Sequence, residues 1–424
     1  MGGSLLLSLP AASADGRSIS YINALFTATS ATCVTGLIVV DTYTHWSIFG
    51  QIVIISLIQI GGLGFMTVIT MFSLFIKRRI SIHERKLLMQ SAGAMQISGV
   101  IRLIKRILLG TLIFEGLGII LLSIRFCPEM GFWEGLYNGI FHSVSAFCNA
   151  GFDIMGKYGA FSSLTKYRGD YLVNLTIASL IAIGGLGFIV WNDIVVKGFK
   201  VKEYELHTKI VLTVTGFLIF AGMILFCIFE KNYTLANLTA GEKFIASLFQ
   251  SITPRTAGFN TVDMGALSDS GNMLITILMF IGGSPGSTAG GIKTTTFAVL
   301  MLGALSASRH TKHIAIYKRR LDESIVKQAS AIFVIYTMAV IVASLTISAI
   351  ELQSMKNVVF EVVSAIGTVG LTTGITSTLC SVSKVILIIF MYGGRVGGLT
   401  LMLSLAEKRT VTPIERPMEK ILIG

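Results

Sequence analysis

Seven apolar stretches constrain this chain more than any other feature of its sequence. They lie at about Ile48–Ile76, Leu103–Ile124, Tyr171–Val196, Ile210–Phe229, Asn272–Ala304, Ser330–Ile350 and Ser383–Leu405. A helix needs about 20 mostly apolar residues to cross the hydrocarbon core of a bilayer. Because only 13% of the 424 residues are charged and 53% are hydrophobic, we predict an all-α polytopic membrane protein.

Four shorter segments between these stretches share one pattern. In each, a large apolar residue stands ten positions before a glycine and another follows it directly: Phe26–Leu37, Phe141–Phe152, Leu248–Phe259 and Phe360–Leu371. The spacings between the glycines are 115, 107 and 112 residues. A Gly-Gly pair follows each segment, at Gly61-Gly62, Gly184-Gly185, Gly282-Gly283 and Gly393-Gly394. A regular period with two internal landmarks indicates an internal repeat.

The repeat predicts four covalently joined helix–pore-loop–helix units around a central pore, as in potassium channels. Their expected limits are residues 1–80, 81–200, 201–311 and 312–424, the last with a cytoplasmic tail. Only Leu5–Pro10 is apolar before the first short segment, so the first helix of unit one is expected to be largely missing. We therefore expect an apolar helix to be encoded upstream of Met1.

The segment Thr368–Gly374 is too polar and irregular for a spanning helix, yet apolar stretches flank it. Irregular backbone at membrane depth is tolerated only where protein buries it or where it lines a water-filled path. Glycine keeps such a path free of Cβ atoms and leaves the carbonyl free to turn. The run Thr368-Val369-Gly370 is similar to the carbonyl-lined filters of potassium channels. We therefore predict a K⁺ selectivity filter of backbone carbonyls, built by Val34, Thr35, Gly36, Asn149, Ala150, Gly151, Thr256, Ala257, Gly258, Thr368, Val369 and Gly370.

Basic residues predict the orientation in the membrane. The segments between units and the tail hold 22 of the 34 Lys and Arg residues: eight in 77–106, four in 197–209, six in 309–327 and four in 408–420. By the positive-inside rule these segments are cytoplasmic and the filter faces outward. The net charge of +12 therefore reflects topology, and nucleic acid is not an expected partner.

The fifth apolar stretch is too long for one span, since about 33 residues would make a helix near 50 Å. A glycine-rich segment breaks it, and such a segment cannot sustain a regular helix. We predict that this segment forms an intramembrane gate together with two cations: Gly282, Gly283, Ser284, Pro285, Gly286, Ser287, Thr288, Ala289, Gly290, Gly291, Lys293 and Arg395. The two cations either add an electrostatic barrier below the filter or pair with Glu115 or a backbone carbonyl.

With these motifs in order, the chain resembles the Trk/Ktr/HKT superfamily of potassium transporters over nearly its whole length, and most of all the Ktr-type membrane subunit. The quoted motifs are Thr32–Leu37, Cys148–Phe152, Thr253–Asn260 and Gly367–Thr372. The resemblance implies K⁺ uptake by a multi-pass plasma membrane protein, a homodimer in lipid, and a cytosolic nucleotide-binding ring as regulatory partner. It implies no cofactor in this chain, with K⁺ as substrate. Whether Na⁺ is coupled stays open.

Several ionisable residues have two readings. Asp41, Asp153 and Asp263 each follow a filter glycine within five residues, and either concentrate cations at the pore mouth or serve as ordinary loop acids. Glu115 lies in the middle of an apolar stretch, so it should face the interior and have a partner. His142 stands beside a filter without a second metal ligand at suitable spacing.

Two other classes of function were weighed: a membrane-embedded enzyme and a non-conducting scaffold subunit. An enzyme would need an intramembrane catalytic set such as HExxH, and the sequence contains none. The stretch Gly286–Thr294 resembles a phosphate loop, but Ile292 separates the last glycine from Lys293. The five cysteines are scattered without a CxxC pair, which argues against a disulfide framework or a zinc site. A scaffold would not require four filter segments in register.

Overall fold

The structure, a computed structural model, describes residues 1–64, 67, 100–311 and 313–397. Residues 77–99 of the predicted basic segment 77–106, and the basic part of the tail at 408–420, lie outside the described residues. Within these ranges unit one comprises α1 (Gly2–Leu7), α2 (Tyr21–Thr32), α3 (Thr42–His45) and α4 (Ile48–Leu63). Unit two comprises α5 (Val100–Met130), α6 (Phe132–Phe147), α7 (Tyr171–Leu186) and α8 (Phe188–Lys197).

The second half of the chain has the same order of elements. Unit three comprises α9 (Leu206–Phe229), α10 (Ala240–Ile252), α11 (Asp269–Phe280) and α12 (Thr294–Ser308). Unit four comprises α13 (Glu323–Glu351), α14 (Met355–Gly367) and α15 (Ser381–Val396). Short 3₁₀ turns lie at Pro10–Ala12, Gly156–Tyr158, Thr165–Tyr167, Val201–Glu203, Met264–Ala266 and Thr376–Thr378.

The first helix of each of units two to four is long and apolar enough to cross a membrane. These helices are α5, α9 and α13, with mean hydropathies of 2.3, 2.5 and 2.2 in their most apolar windows. Each packs against the short helix that follows it. Large apolar side chains remain exposed along them, such as Leu112, Phe220 and Val342, as expected for surfaces that face lipid. The predicted all-α polytopic architecture is confirmed.

Two apolar cores hold the units together around the centre. One is built mainly from units three and four and includes Phe26 and Leu37 of unit one. The other is built mainly from units one and two and includes Phe249 and Phe259 of unit three. Each core therefore crosses a boundary between the two halves of the chain, which fixes all four units to one another.

The second helix of a unit begins on a side-chain cap in three cases. Ser47, Asp170 and Ser268 accept backbone N–H bonds in the first turn of α4, α7 and α11. These N-terminal caps fix the residue at which each of the three helices begins after its irregular loop.

Among the described residues, unit three is not alone in having a broken second helix. Unit two breaks at Gly187, where α7 and α8 meet at 94°. Gly187 has a φ of +98°, and Gly64 and Gly397 end α4 and α15 with φ of +84° and +89°. Only glycine adopts such a backbone without strain, so these three residues end the second helices of their units.

A small hairpin joins units three and four. Its strands, β1 (Ala315–Ile316) and β2 (Arg319–Arg320), pair antiparallel through a two-residue turn. The turn residues Tyr317 and Lys318 both have positive φ, and the Tyr317 hydroxyl lies 2.7 Å from the Thr213 hydroxyl on α9. The hairpin therefore presents exposed cations at a fixed place beside the helices.

Candidate ion pathway

Four short helices end directly before the four predicted filter segments. They are α2, α6, α10 and α14, one from each unit, and each buries at least half of its residues. The C-terminal end of a helix carries partial negative charge. Four such ends beside one place favour a cation there.

The four filter glycines close into a ring. A Cβ atom built on Gly36 would collide with the carbonyl oxygen of Ala150, the residue before Gly151. The same relation holds from each unit to the next: Gly151 meets Ala257, Gly258 meets Val369, and Gly370 meets Thr35. Every one of these separations is below 3.0 Å, a distance that real Cβ atoms do not show. Four backbone segments from distant parts of the chain thus converge so closely that side chains have no room.

Backbone handedness alternates along each filter segment. Each glycine has a positive φ, between +67° and +92°, and so does the residue two positions before it. Those residues are Val34, Asn149, Thr256 and Thr368, with φ from +50° to +76°, whereas the residue between has negative φ. In an ordinary strand successive carbonyls point to opposite sides, so alternating handedness turns them towards one side. The left-handed conformation is unfavourable for non-glycine residues and persists here because all four segments pack against one another.

Hydroxyl groups on the short helices hold the segments in place. Gly36 and Gly370 donate their N–H groups to Ser30 Oγ at 3.1 Å and Ser364 Oγ at 3.0 Å. In unit two, Ser145 Oγ instead donates to the carbonyl of Phe152 at 2.7 Å. In unit three Thr253 Oγ1 donates to the carbonyl of Phe259. A hydroxyl of each short helix therefore fixes its own filter segment.

Unit three is one residue shorter between its buried phenylalanine and its glycine than the other three units. The sequence alignment puts Leu248 opposite the buried phenylalanines of the other units, but the fully buried side chain is Phe249, and Leu248 is only partly buried. Thr253 likewise stands five residues before Gly258, whereas the corresponding serines stand six before theirs. The predicted alignment is thus wrong by one position along α10, although its glycine is correctly placed.

The glycine-rich segment of unit three lies against the fourth predicted filter segment and against the helix break of unit two. Ser284 and Thr288 donate their N–H groups to the carbonyls of Gly185 and Gly184, at 3.0 and 3.3 Å. Gly286 accepts from Phe188 N at 2.8 Å. A Cβ on Gly290 would collide with Thr368 of the fourth filter segment. This segment, residues 281–293, therefore connects α11 to α12 while bonding to the break in unit two and touching unit four.

Arg395 and Lys293 both donate hydrogen bonds to backbone carbonyls of this segment. The Arg395 guanidinium donates to the carbonyls of Thr288 and Gly61, and to that of Gly62 at 3.2 Å. Lys293 Nζ donates to the carbonyl of Ala289 at 2.7 Å. Neither cation pairs with Glu115. Charge-assisted bonds of this kind are roughly twice as strong as neutral ones, so Arg395 ties units one, three and four together.

Glu115 faces the interior and has a partner, as predicted. Its side chain is 6% exposed and accepts a bond from Gln59 Nε2 at 3.3 Å. The thiol of Cys148, which precedes the second filter segment, lies 3.5 Å from Gln59 Oε1. A buried carboxyl held by an amide beside a filter segment fits a structural role.

The acids that follow the filter glycines bind backbone groups. Asp41 is buried, accepts from the N–H groups of Tyr43 and Thr44, and also from Phe161 N at 2.9 Å. Asp263 accepts from Gly265 N at 2.8 Å. Nearby on the same face, Lys157 pairs with Glu134 at 2.7 Å, and this pairing raises the pKa of Lys157. The outer loops are thus ordered by local bonds, and the cap function accounts for Asp41 and Asp263.

The sequence analysis singled out His142 but missed that it belongs to a set of four side chains behind the predicted filter. Thr27, His142, Gln250 and Glu361 occupy the same position on the four short helices, directly after the buried phenylalanine, and all are at most 1% exposed. Three of them bond to the loop beyond their own filter, as Gln250 does to Thr261 at 3.4 Å. Because the four residues differ in type, only the buried phenylalanine before each could have marked them.

Comparison with known proteins finds similar sequences and structures over nearly the whole chain. Residues 4–411 match the TrkH family, described as cation transport protein. The Potassium/sodium uptake protein NtpJ of Enterococcus hirae is 41% identical over all of this chain and 94% of its own length. The Ktr system potassium uptake protein B of Bacillus subtilis is 41% identical over 96% of this chain and 90% of its own. The crystal structure of the potassium transporter TrkH from Vibrio parahaemolyticus has a TM-score of 0.75 and 20% identity, covering 95% of this chain and 81% of that one.

Proposed function

Because this chain belongs to the TrkH family of cation transport proteins, we propose that it takes up potassium ions through the ring formed by Gly36, Gly151, Gly258 and Gly370. It is a membrane transporter and not an enzyme. The names of its relatives support potassium as the substrate. Carbonyl oxygens are the ligands that replace the water shell of K⁺ in selective pores.

The ring is the main support for this proposal, because helix packing alone does not require its strained backbone. Four segments adopt strained, alternating backbone at membrane depth, and each glycine meets the carbonyl of the next unit. Backbone of this kind in a membrane is stable only when it lines a path or is wholly buried in protein. A scaffold subunit would have no use for four such segments in register.

The gate proposed here is segment 281–293. Its support is its position below the filter and its bonds to Gly184, Gly185 and Arg395. A segment without regular helix or strand can change its backbone angles more easily than a packed helix can. Loss of the Arg395 bonds would free it from units one and four.

We also propose the orientation and partners. The filter faces outward, because the described cation-rich segments 197–209 and 309–327 lie at the ends of the units remote from the filter loops. A second copy of the chain and a cytosolic nucleotide-binding ring protein complete the transporter. The exposed cations Lys318, Arg319 and Arg320 on the hairpin support a docking place for an acidic partner surface. Measuring K⁺ flux into liposomes with and without Na⁺ decides whether the two ions are coupled.

Flux through reconstituted liposomes tests both the function and the gate. The full chain should carry K⁺ in preference to Na⁺, and deletion of Ser284–Gly290 should raise K⁺ flux while leaving the preference for K⁺ in place. Absence of K⁺ flux from well-folded parent protein would refute the function. A folded deletion variant with parental flux would refute the gate while leaving the function intact.

A further inference from the structure

A long groove runs along the outer surface of unit two, between α5 and the broken pair α7 and α8. It consists of two cavities, of about 220 and about 630 Å³, that share Phe114 and Ile183. The first reaches Arg106 and Val195 at one end, and the second reaches Tyr171 at the other. The groove therefore follows α5 from the predicted cytoplasmic side towards the outer side.

The walls of the groove are apolar and open to the surroundings. Leu117, Leu175 and Val195 line it and are 53%, 45% and 72% exposed within the described part of the chain. Trp191 and Phe114 form the floor of its inner half, with ring centroids 5.3 Å apart. An open apolar groove on the lipid-facing side of a transporter is the shape that takes an acyl chain.

The inner end of the groove is cationic. Arg106 lines it and donates to Asn192 Oδ1 across the groove, which holds the guanidinium at the mouth. Arg102 and Lys105 are exposed on the same turns of α5. Asp193, the described acid nearest in sequence to Asn192, already pairs with Lys197 at 2.5 Å. No described carboxylate pairs with Arg106, so its charge is available to an anion.

We infer that this groove binds a phospholipid with an anionic headgroup, whose phosphate meets Arg106 and whose acyl chain lies against Trp191 and Phe114. Charge complementarity selects this occupant, since basic pockets between membrane helices at the cytoplasmic side attract anionic headgroups. A zwitterionic lipid would gain the apolar contacts but much less from the guanidinium of Arg106. The interior of the bilayer supplies the ligand at high local concentration.

The site adjoins the break in unit two. Trp191 donates its indole N–H to the carbonyl of Ile183 at 2.9 Å, and Phe188, which also lines the groove, donates its N–H to Gly286. An acyl chain that packs against Phe188 and Trp191 therefore stabilises the part of unit two to which segment 281–293 is hydrogen-bonded. That consequence rests on the proposed gate, whereas the binding site itself does not.

Quenching of tryptophan fluorescence by brominated lipids tests the site directly. The chain has three tryptophans, of which only Trp191 lines the groove. The full chain and its Trp191→Phe variant are placed in phosphatidylcholine nanodiscs with rising amounts of brominated phosphatidylglycerol or brominated phosphatidylcholine. The difference between the two proteins isolates Trp191 without altering the buried Trp46. We expect saturable quenching of Trp191 that needs several-fold less brominated phosphatidylglycerol than brominated phosphatidylcholine.

Two pairs of variants identify the contacts. Arg106→Gln should weaken the preference for phosphatidylglycerol about fivefold, the effect of roughly one cation at a membrane surface. Lys105→Gln removes the same charge from a residue outside the groove lining and should have little effect. Gly110→Leu should reduce quenching by both lipids, because a Cβ there would lie 3.3 Å from the Trp191 ring. Gly116→Leu, on the same helix with open space around the added Cβ, should not.

Three results would overturn the inference. Equal quenching by the two brominated lipids would show a site without headgroup selection. Equal losses in Arg106→Gln and Lys105→Gln would show attraction to the general surface charge rather than a site. Unquenched Trp191, with loss of subunit association in Gly110→Leu, would assign the groove to a second copy of the chain.

Discussion

The ring of four glycines and the layer directly beneath it come from the same four repeats, but the repeats contribute to them unequally. In the ring every unit supplies a glycine with positive φ and a preceding carbonyl, and each contact is repeated four times. In the layer beneath, Gly61, Gly184 and Gly394 pack against the ends of their short helices, whereas unit three inserts segment 281–293. Arg395 follows Gly394 where the other two units have Gly62 and Gly185.

Under the proposed function, the difference between the two layers follows from their different tasks. An ion without its water shell needs oxygens on all sides, so a ring of equal contributions suits it. A switch needs one element with two arrangements, and four equal elements would have to move together. Equality in the upper layer and inequality in the lower one thus fit a filter above a gate.

Replacing a ring glycine should have the largest effect. Gly370→Ser adds a Cβ that cannot fit beside the carbonyl of Thr35, so the ring must open. We expect K⁺/Na⁺ discrimination to fall about a hundredfold, equal to about 2.8 kcal/mol. Ion competition in liposome uptake measures it, with Gly216→Ser on α9, which has open space, as the control. Unchanged K⁺/Na⁺ discrimination in both Gly370→Ser and Gly151→Ser would show that the ring does not select ions. The proposed contrast between the two layers would then be wrong.

Removal of the guanidinium from the lower layer should raise flux instead. Arg395→Gln loses charge-assisted bonds to Thr288 and Gly61, each worth about 1.5–3 kcal/mol. We expect K⁺ flux to rise about thirtyfold with little change in discrimination. Lys384→Gln is the matched control, because Lys384 lies on the same helix and bonds to Asn23 rather than to the segment. Parental flux in a folded Arg395→Gln protein would contradict a closing role for this residue.

Charge reversal on the hairpin should loosen the cytosolic partner. Substitution of Lys318, Arg319 and Arg320 by Glu should weaken binding about tenfold at low salt, and the difference should shrink as ionic strength rises. Reversal of Arg17, Arg168 and Lys231, exposed cations on the predicted outer side, changes the net charge equally and is the control. Co-purification at undiminished yield from the hairpin variant would remove this surface from the proposed interface.

Removing a hydroxyl group that supports the ring should have a smaller effect. Ser364→Ala leaves the buried N–H of Gly370 without an acceptor, which costs about 1 kcal/mol or slightly more. We expect K⁺ affinity in the flux assay to fall about fivefold. Ser143→Ala on α6 is the control, since Ser143 bonds to the carbonyl of Glu115 and not to a filter segment. Equal losses in both variants would show that the effect comes from helix packing.

The sequence was sufficient for the parts of the fold that depend on local pattern. Apolar stretches of spanning length predicted the membrane class, and the spacing of Gly36, Gly151, Gly258 and Gly370 predicted the segments that meet in the ring. These features can be recognised in the sequence because each is repeated. Repetition distinguishes a predicted filter glycine from a glycine that serves only helix packing.

The features that the sequence analysis missed depend on contacts between distant residues or on small shifts. Unit three has one residue fewer between its buried phenylalanine, Phe249, and Gly258 than the other units have. An alignment on the glycines therefore places Leu248, another large apolar residue, at the position of the buried phenylalanine. Gly187 looks like a packing glycine within an apolar run, so the 94° break was not predicted. The acceptor of Arg395 at Gly61 lies 334 residues away, and nothing local points to it.

The order of contacts around the ring has a consequence for how the protein is made. Gly370 closes the ring onto Thr35, so the carbonyls of unit one have no complete surroundings until the fourth unit is synthesised. At about 5–20 residues per second, the 334 residues between Gly36 and Gly370 take roughly 20–70 s to translate. During this interval the first three filter segments stand in the membrane without their last neighbour, where unpaired backbone groups are costly. The nascent chain, more than the finished transporter, is therefore the form that membrane proteases and insertion chaperones should recognise.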